Sequence, residues 1–299
     1  MLKTLHNRFE IVRTLGTGGA GQVYEAEDLR LGRRVAIKRV RIGETGHRQA
    51  RAVFLLREAQ SLARIQHPNV AVVHDILEGE TSVSIVMELV RGPSLRALIE
   101  KRAIPELQFV GWFSQLLAGL EAVHQEEIVH RDVNPRNVLV SDKGLLKLID
   151  FGLASKAGDP NPRAGGTVGY MPPEALRTVG RPAFTLDVYG AGFTAYQALL
   201  GLPRFKRLYG TSSPREWARW LLSRESFKTL REIDESFSAA LSAVIARMTA
   251  KDPAARYQTI ASIWKDYRRI AGRRSESESD DDSADGAARA AALEGEGGA

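Results

Sequence analysis

A cluster of glycines near the start of the sequence has the composition of a phosphate-binding loop. The stretch GTGGAGQV places Gly16, Gly18 and Gly21 in a G-x-G-x-x-G pattern, with Gly19 inside it and Val23 two residues beyond. Glycine lets backbone amides approach phosphate oxygens because no Cβ stands in the way. The same spacing occurs in dinucleotide-binding folds, where a helix follows, and in ordinary structural turns. Here the following residues favour a second strand.

A lysine ends the next apolar strand. In VAIK, Lys38 presents its ammonium beside the glycine loop, where it can pair with phosphate oxygens. A lone lysine at the end of a strand is usually only solvated, so its partner matters. Residues 49–65 have the apolar spacing of a helix, and Glu58 within them can hold the ammonium by a charge-assisted contact.

Three further motifs make the chain resemble the protein kinase family. They are HRD at 130–132, Asn137, and DFG at 150–152. The resemblance implies that Asp132 is the catalytic base, and that Asn137 and Asp150 bind Mg²⁺ carrying ATP. One carboxylate and one amide suffice, because Mg²⁺ keeps several of its waters. The matches continue in order to Arg256.

The resemblance also places the purine of ATP. It implies that Val23, Ala36 and Leu139 enclose the adenine, and that Met87 lies at the back of the pocket. The backbone of Glu88 and Val90 would hydrogen-bond the base. The implied cofactors are therefore ATP and Mg²⁺.

The catalytic loop departs from the family at one position. Asn134 stands two residues after Asp132, where serine/threonine kinases usually carry a lysine that reaches the γ-phosphate. Loss of that charge would cost on the order of 10²-fold in rate. Arg136 either restores the charge from another direction, as in some tyrosine kinases, or faces solvent.

The segment GTVGYMPPE resembles the end of the family's activation loop. The resemblance pairs Glu174 with a buried Arg256, and it has Asp187 support the catalytic loop from below. Thr167 favours serine/threonine specificity, because its hydroxyl matches one that contacts the catalytic aspartate. Residues 153–166 contain a single hydroxyl, Ser155, which lies too near DFG to match the usual phosphorylated site.

The elements that must position these residues fall into two groups. Residues 9–40 and 67–90 have strand-like composition, interrupted by turns at LRLGRR and at Gly79. From Gly92 onward the periodicity is mainly helical, apart from strands and loops between Ile128 and Phe151. We expect an α+β, bilobal kinase-like fold: a small antiparallel-sheet N-lobe with one helix at 1–90, and a larger helical C-lobe at 91–271.

The composition excludes sites that need cysteine and indicates which segments of the chain are expected to fold. The chain has 299 residues, no cysteine and net charge +6, so disulfides and zinc–thiolate sites are excluded. Residues 272–299 are Ser-, Asp- and Glu-rich with net charge −5, and are expected to form a disordered tail, either a spacer or a phosphorylated segment. The charge-free run 188–203 is too short for a membrane span and is expected to be a buried helix. Without a signal-like segment, a cytoplasmic location is expected.

We therefore expect an enzyme that transfers the γ-phosphate of Mg²⁺-ATP to serine or threonine hydroxyls of protein substrates, with no specific nucleic-acid partner. A pseudokinase scaffold is the alternative, with Asn134 as its first sign. A small-molecule phosphotransferase of related fold should lack the GT…PPE segment. The sequence leaves the oligomeric state open.

Overall fold

The computed structural model describes residues 4–18, 21–41, 60, 62–160, 167, 169–177, 181–210 and 213–268. Most of the predicted helix at 49–65, with Glu58, lies outside these residues, as do Gly19 and the acidic tail. At the end of that helix Gln60 and Leu62 are helical, and the chain then turns.

The N-terminal part is one antiparallel sheet of six strands. In chain order these strands are β1 Thr4–Leu5, β2 Phe9–Gly18, β3 Gly21–Asp28, β4 Arg33–Arg41, β5 Val73–Glu78 and β6 Ser82–Glu88. They are arranged β1-β2-β3-β4-β6-β5. The turns predicted at LRLGRR and Gly79 join β3 to β4 and β5 to β6. Valine and isoleucine along β4 and β6 favour the strand conformation, and their inward faces form a small apolar core.

The turn between β3 and β4 is fixed by one buried carboxylate. Asp28 Oδ1 accepts hydrogen bonds from the backbone N–H groups of Arg30 and Leu31, at 3.1 and 3.3 Å. The Arg8 guanidinium binds both oxygens of Asp28, which is completely buried. The ion pair neutralises a charge that would otherwise be costly to bury. This turn sets the register in which β4 presents Lys38.

The C-terminal part is mainly helical. Its helices are α1 Leu95–Lys101, α2 Glu106–Gln125, α3 Pro173–Arg177, α4 Phe184–Leu200, α5 Leu202–Tyr209, α6 Pro214–Leu222, α7 Leu230–Ile233, α8 Ala239–Met248 and α9 260–268. Short strands β7 Ile128–Val129, β8 Val138–Val140, β9 Leu146–Leu148 and β10 Ser155–Lys156 lie between α2 and α3. The predicted α+β fold, with a sheet-rich N-lobe before a helical C-lobe, is confirmed.

Helix α4 is the centre of the larger core. Fifteen of its seventeen residues are buried, which is the pattern of a helix enclosed by protein on every side. Helices α2, α5 and α8 pack against it. The buried helix predicted for 188–203 is therefore confirmed over most of that run. No helix among the described residues is long and apolar enough to cross a membrane.

Candidate active site

A cleft of about 770 Å³ opens beside β6 and the chain that follows it. Its floor and roof come from both parts of the protein. Most of the predicted nucleotide residues line it, namely Gly16, Val23, Ala36, Lys38, Met87, Glu88, Val90 and Leu139, together with the predicted metal ligand Asp150. The predicted residues Gly18 and Gly21 are described but are not among its lining residues. Leu15 and Ile149 also line it and were missed by the sequence reasoning. Both are apolar residues directly preceding a motif residue, which is the signal that could have found them.

The back of the cleft holds an ion pair between Lys38 and Asp150. The Lys38 side chain is almost fully buried, and its ammonium donates a hydrogen bond to Asp150 Oδ1. Burial by itself would raise the pKa of Asp150, but the Lys38 charge and hydrogen bonds from Lys38 and the Gly152 N–H together lower it. The carboxylate is therefore ionised at neutral pH. Both of these hydrogen bonds end on Oδ1, and Oδ2 takes part in neither.

Two glycines of the predicted motifs leave space that a Cβ would fill. A Cβ on Gly152 would collide with Lys38 Nζ, so the DFG glycine leaves room for the ammonium. At the start of β3, Gly21 has φ +130°, and a Cβ there would collide with the carbonyl oxygen of Arg39 on β4. Close packing against β4 therefore favours glycine at position 21, in addition to the predicted contact with phosphate.

Asp132 lies on the loop between β7 and β8, and two neighbours fix its carboxylate. Asn137 Nδ2 donates to Asp132 Oδ2 at 2.9 Å, and the backbone N–H of Thr167 donates to Asp132 Oδ1 at 3.2 Å. Thr167 therefore lies beside Asp132, as predicted, and the contact uses its amide. The Ile149 N–H donates to the Asn137 carbonyl at 2.8 Å, which brings Asn137 next to Asp150. The predicted base and both predicted metal ligands are thus assembled in one place.

Asp187 supports this loop from within the C-terminal core. Its completely buried carboxylate accepts hydrogen bonds from the backbone N–H groups of His130 and Arg131, both at 2.8 Å. His124 Nε2 lies 2.8 Å from the same carboxylate. Arg131 has φ +66°, a left-handed conformation that is costly for arginine, and the Asp187 bonds hold it there. The role predicted for Asp187 is confirmed.

Asn134 is turned into the protein. It is completely buried; its Nδ2 donates to the Asp132 carbonyl at 3.0 Å, and its Oδ1 accepts from the Arg136 N–H at 2.9 Å. The side chain thus closes the loop on itself. Arg136, by contrast, is exposed. Catalytic roles for these two residues stay predictions.

Glu88 holds the segment that joins the two lobes after β6. Its N–H donates to the Val72 carbonyl at 2.8 Å, so any hydrogen bond from Glu88 to a base must come through its carbonyl. Its carboxylate pairs with Lys147 Nζ at 2.7 Å. Because Lys147 is on β9 and Glu88 ends β6, this pair links the two lobes at the cleft.

The segment after Thr167 is anchored by the predicted pair of Glu174 and Arg256. Arg256 Nη1 and Nη2 donate to the two Glu174 oxygens at 2.7 and 2.8 Å, in the bidentate geometry favoured by guanidinium. The Arg256 side chain is completely buried, and it also donates to backbone carbonyls, including that of Thr185. This prediction is confirmed. Ser155 is buried in β10, and Arg131 Nη1 donates to the Leu153 carbonyl at 3.3 Å.

The described residues contain no group of three or more His, Cys, Asp or Glu side chains arranged to hold a metal ion. The donors that the site does offer, an ionised carboxylate and an amide oxygen, are hard ligands of the kind that suits Mg²⁺. Asp150 and Asn137 therefore fit the predicted cation, which would keep most of its waters.

Comparison with known proteins gives a consistent result. Residues 9–267 match the family described as protein kinase domain. Serine/threonine-protein kinase PknB of Mycobacterium leprae is 34% identical over 276 residues, covering 89% of this chain and 43% of that protein. Serine/threonine-protein kinase PrkC of Bacillus subtilis is 30% identical over 271 residues, covering 89% and 41%. The chain thus spans less than half the length of these relatives.

Proposed function

The chain belongs to the protein kinase family, among the eukaryotic-like (Hanks-type) serine/threonine kinases of bacteria, and we propose that it transfers the γ-phosphate of Mg²⁺-ATP to serine or threonine hydroxyls of other proteins. The observation that carries the proposal is the pairing of Lys38 and Asp150 in the cleft, with Asn137 and Asp132 hydrogen-bonded to each other beside Ile149 and Asp150. Because the reaction consumes ATP, we also propose that this domain works in the cytoplasm.

ATP binding is supported by the two ends of the cleft. The apolar end, between Val23, Ala36 and Leu139, suits a flat purine ring. The polar end contains the Lys38 ammonium, which suits the phosphates. In the nucleotide-bound protein we propose that Lys38 exchanges part of its contact with Asp150 for phosphate oxygens. The predicted contact with Glu58 would then hold the ammonium in position.

Mg²⁺ would be held by Asp150 and Asn137, and it would supply neutralisation of the phosphate charge. The protein's own part is positioning. Asn137 Nδ2 fixes Asp132 Oδ2, so that a substrate hydroxyl can donate its proton to this carboxylate. Asp187 and Asn134 fix the backbone of the same loop, and a rigid loop keeps the acceptor oxygen in line with the γ-phosphate.

A protein substrate is supported by the contacts of Thr167 with Asp132 and of Glu174 with Arg256, which anchor the segment after the catalytic loop. A well-anchored segment at this position provides a surface for a peptide chain. It distinguishes the proposal from transfer to a small molecule. The names of the relatives, both serine/threonine-protein kinases, agree with it.

A pseudokinase scaffold is the second candidate, and one observation favours it. The buried amide of Asn134 places no cation toward the γ-phosphate position. Labelled γ-phosphate separates the two functions: the protein is incubated with Mg²⁺-ATP and a generic protein substrate, and the phosphoamino acids are identified. Label on serine or threonine is expected. Label on tyrosine would contradict the specificity, and ATP binding without transfer would establish the scaffold.

A further inference from the structure

Three cationic side chains lie together at the edge of the catalytic loop. They are Arg96 on α1, Arg136 in the loop itself and Lys206 on α5, which packs against α1. We call these three residues the basic patch. Arg136 and Lys206 are exposed, and the Arg96 side chain keeps 23% of its surface accessible. The patch is therefore available to a ligand in solution.

Hydrogen bonds connect the basic patch to the proposed catalytic base. The Arg96 N–H donates to the carbonyl of Pro135 at 2.8 Å. Pro135 is the residue before Arg136. Arg96 Nη1 donates to the Tyr170 hydroxyl at 3.4 Å. The Tyr170 N–H in turn donates to the Thr167 carbonyl, and Thr167 contacts Asp132. Arg96 is therefore linked to Asp132 through Tyr170 and Thr167, and Arg136 lies four residues after Asp132 in the same loop.

Charge is not balanced within the patch. Within the part of the chain that the structure describes, the one ion pair that the patch makes is with Glu100, whose Oε1 accepts from Arg96 Nε at 2.7 Å. The hydrogen bond from Arg96, with further contributions from the charges of Lys206 and Arg136, lowers the pKa of Glu100. Burial raises the pKa of Tyr170, and the charges of Arg96 and Arg136 oppose that rise. The charges of Arg96 and Arg136 thus both act on Glu100 and on Tyr170. Three cations therefore lie near the single carboxylate of Glu100.

From this arrangement we infer that the protein prefers substrates with aspartate or glutamate within a few residues of the phosphorylated hydroxyl, and that Arg96, Arg136 and Lys206 recognise those carboxylates. The inference rests on the proposed function and adds the chemical class of the substrate. It also gives Arg136 a role in selecting the peptide. This role differs from replacing the lysine cation that would contact the γ-phosphate.

The chain itself contains a segment of the complementary charge. Residues 275–285 read SESESDDDSAD, with four serines among six acidic residues. Opposite charge brings such a segment to a basic surface faster and holds it there longer, most strongly at low ionic strength. A synthetic peptide of this sequence is therefore a suitable probe, together with a neutral copy in which each Asp becomes Asn and each Glu becomes Gln.

The test compares kcat/KM for the two peptides in the wild type, R136A, K206A and K265A. Lys265 is the matched control, because it is an exposed cation on α9, which packs against α2 through the Trp264–Glu121 and Tyr267–Val110 hydrogen bonds. We expect the wild type and K265A to prefer the acidic peptide about tenfold at low salt. R136A should reduce that preference to about threefold or less, mainly by raising KM. High salt should reduce it in the wild type.

The alternatives give different results. Equal kcat/KM for the two peptides in the wild type would overturn the inference while leaving the proposed function intact. If R136A lowers kcat by the same factor for both peptides, Arg136 acts on the transferred phosphate and the inference is also wrong. If neither peptide nor a generic protein is phosphorylated, the proposed function itself fails.

Discussion

The side-chain amide of Asn134 donates a 3.0 Å hydrogen bond to the backbone carbonyl of Asp132, two residues earlier in the catalytic loop. The side chain at the position where the family usually has a lysine therefore binds its own loop. Its oxygen accepts from the Arg136 N–H, so the residue closes a turn in the manner typical of asparagine. With Asn134 at this position, the loop lacks a cation for the γ-phosphate but gains two hydrogen bonds that hold the backbone at Asp132.

Replacing Asn134 should separate these two effects. N134A removes both hydrogen bonds and is expected to lower the free energy of unfolding by about 1 kcal/mol. N134K loses the same bonds but adds a cation near the γ-phosphate, which should raise kcat above that of N134A by up to about 10²-fold. Denaturant unfolding and steady-state phosphotransfer measure the two quantities. If N134K is no faster than N134A, a missing cation does not limit the rate.

Lys38 should determine the ionisation of Asp150. In the folded protein the pKa of Asp150 is lowered, so its carboxylate contributes stability above the unfolded pKa of about 3.9, and that contribution is lost as the pH falls through the lowered value. K38M removes the lowering charge and hydrogen bond, leaving burial to raise the pKa. The stability difference between wild type and K38M should therefore be present at pH 7 and shrink as the pH falls from the raised pKa of Asp150 in K38M to its lowered pKa in the wild type.

Unfolding in denaturant over a pH series measures this difference. K143M is the control, because Lys143 is an exposed cation in the turn between β8 and β9. Its stability difference from the wild type should not follow the titration of Asp150. A K38M difference that stays constant from pH 3 to pH 7 would show that the ion pair does not contribute to stability.

A side chain at Gly152 should move the ammonium of Lys38, because a Cβ there would occupy the place of Lys38 Nζ. G152A is expected to displace the ammonium and reduce kcat/KM by about 10²-fold, the cost of a small misplacement in an active site. The matched control is G111A, since Gly111 lies on the exposed face of α2 with no atom near the added Cβ. Equal activities of G152A and G111A would contradict the described position of Lys38.

The pair of Glu174 and Arg256 should be among the most important contacts for stability. E174A leaves a completely buried guanidinium with only carbonyl partners, which is expected to cost about 3 kcal/mol of unfolding free energy. Thermal or denaturant unfolding checks it. The control E27A removes an exposed pair with Arg34 and should cost at most about 1 kcal/mol. Similar losses in the two variants would show that burial adds nothing to the Glu174 pair.

Spacing in the sequence predicted the fold and most of the site, because the motif residues carry the chemistry themselves. The lining of the cleft and the pairing of Glu174 with Arg256 follow from the same resemblance. The contact of Lys38 with Asp150 was not predicted, because the resemblance pairs Lys38 with Glu58 and assigns Asp150 to the cation. The predicted partner Glu58 lies outside the described residues.

The direction in which a side chain points was equally hidden. The sequence shows that Asn134 is not a lysine, but only the three-dimensional structure shows that its amide is buried in the loop. Arg96 belongs to no motif identified in the sequence. It lies near Arg136 because α1 packs beside the catalytic loop. Such tertiary contacts arise from packing between elements, which leaves little trace in local sequence patterns.

Asp132 is proposed to accept the proton of the substrate hydroxyl. The most direct measurement compares D132N with the wild type in two assays on the same preparation: the affinity for ATP with Mg²⁺, and the rate of γ-phosphate transfer to a serine-containing substrate. Asparagine keeps the shape but cannot accept the proton, so transfer should fall by about 10²–10⁴-fold while ATP affinity stays within about twofold. Transfer by D132N at the wild-type rate would contradict the assignment of Asp132 as the base.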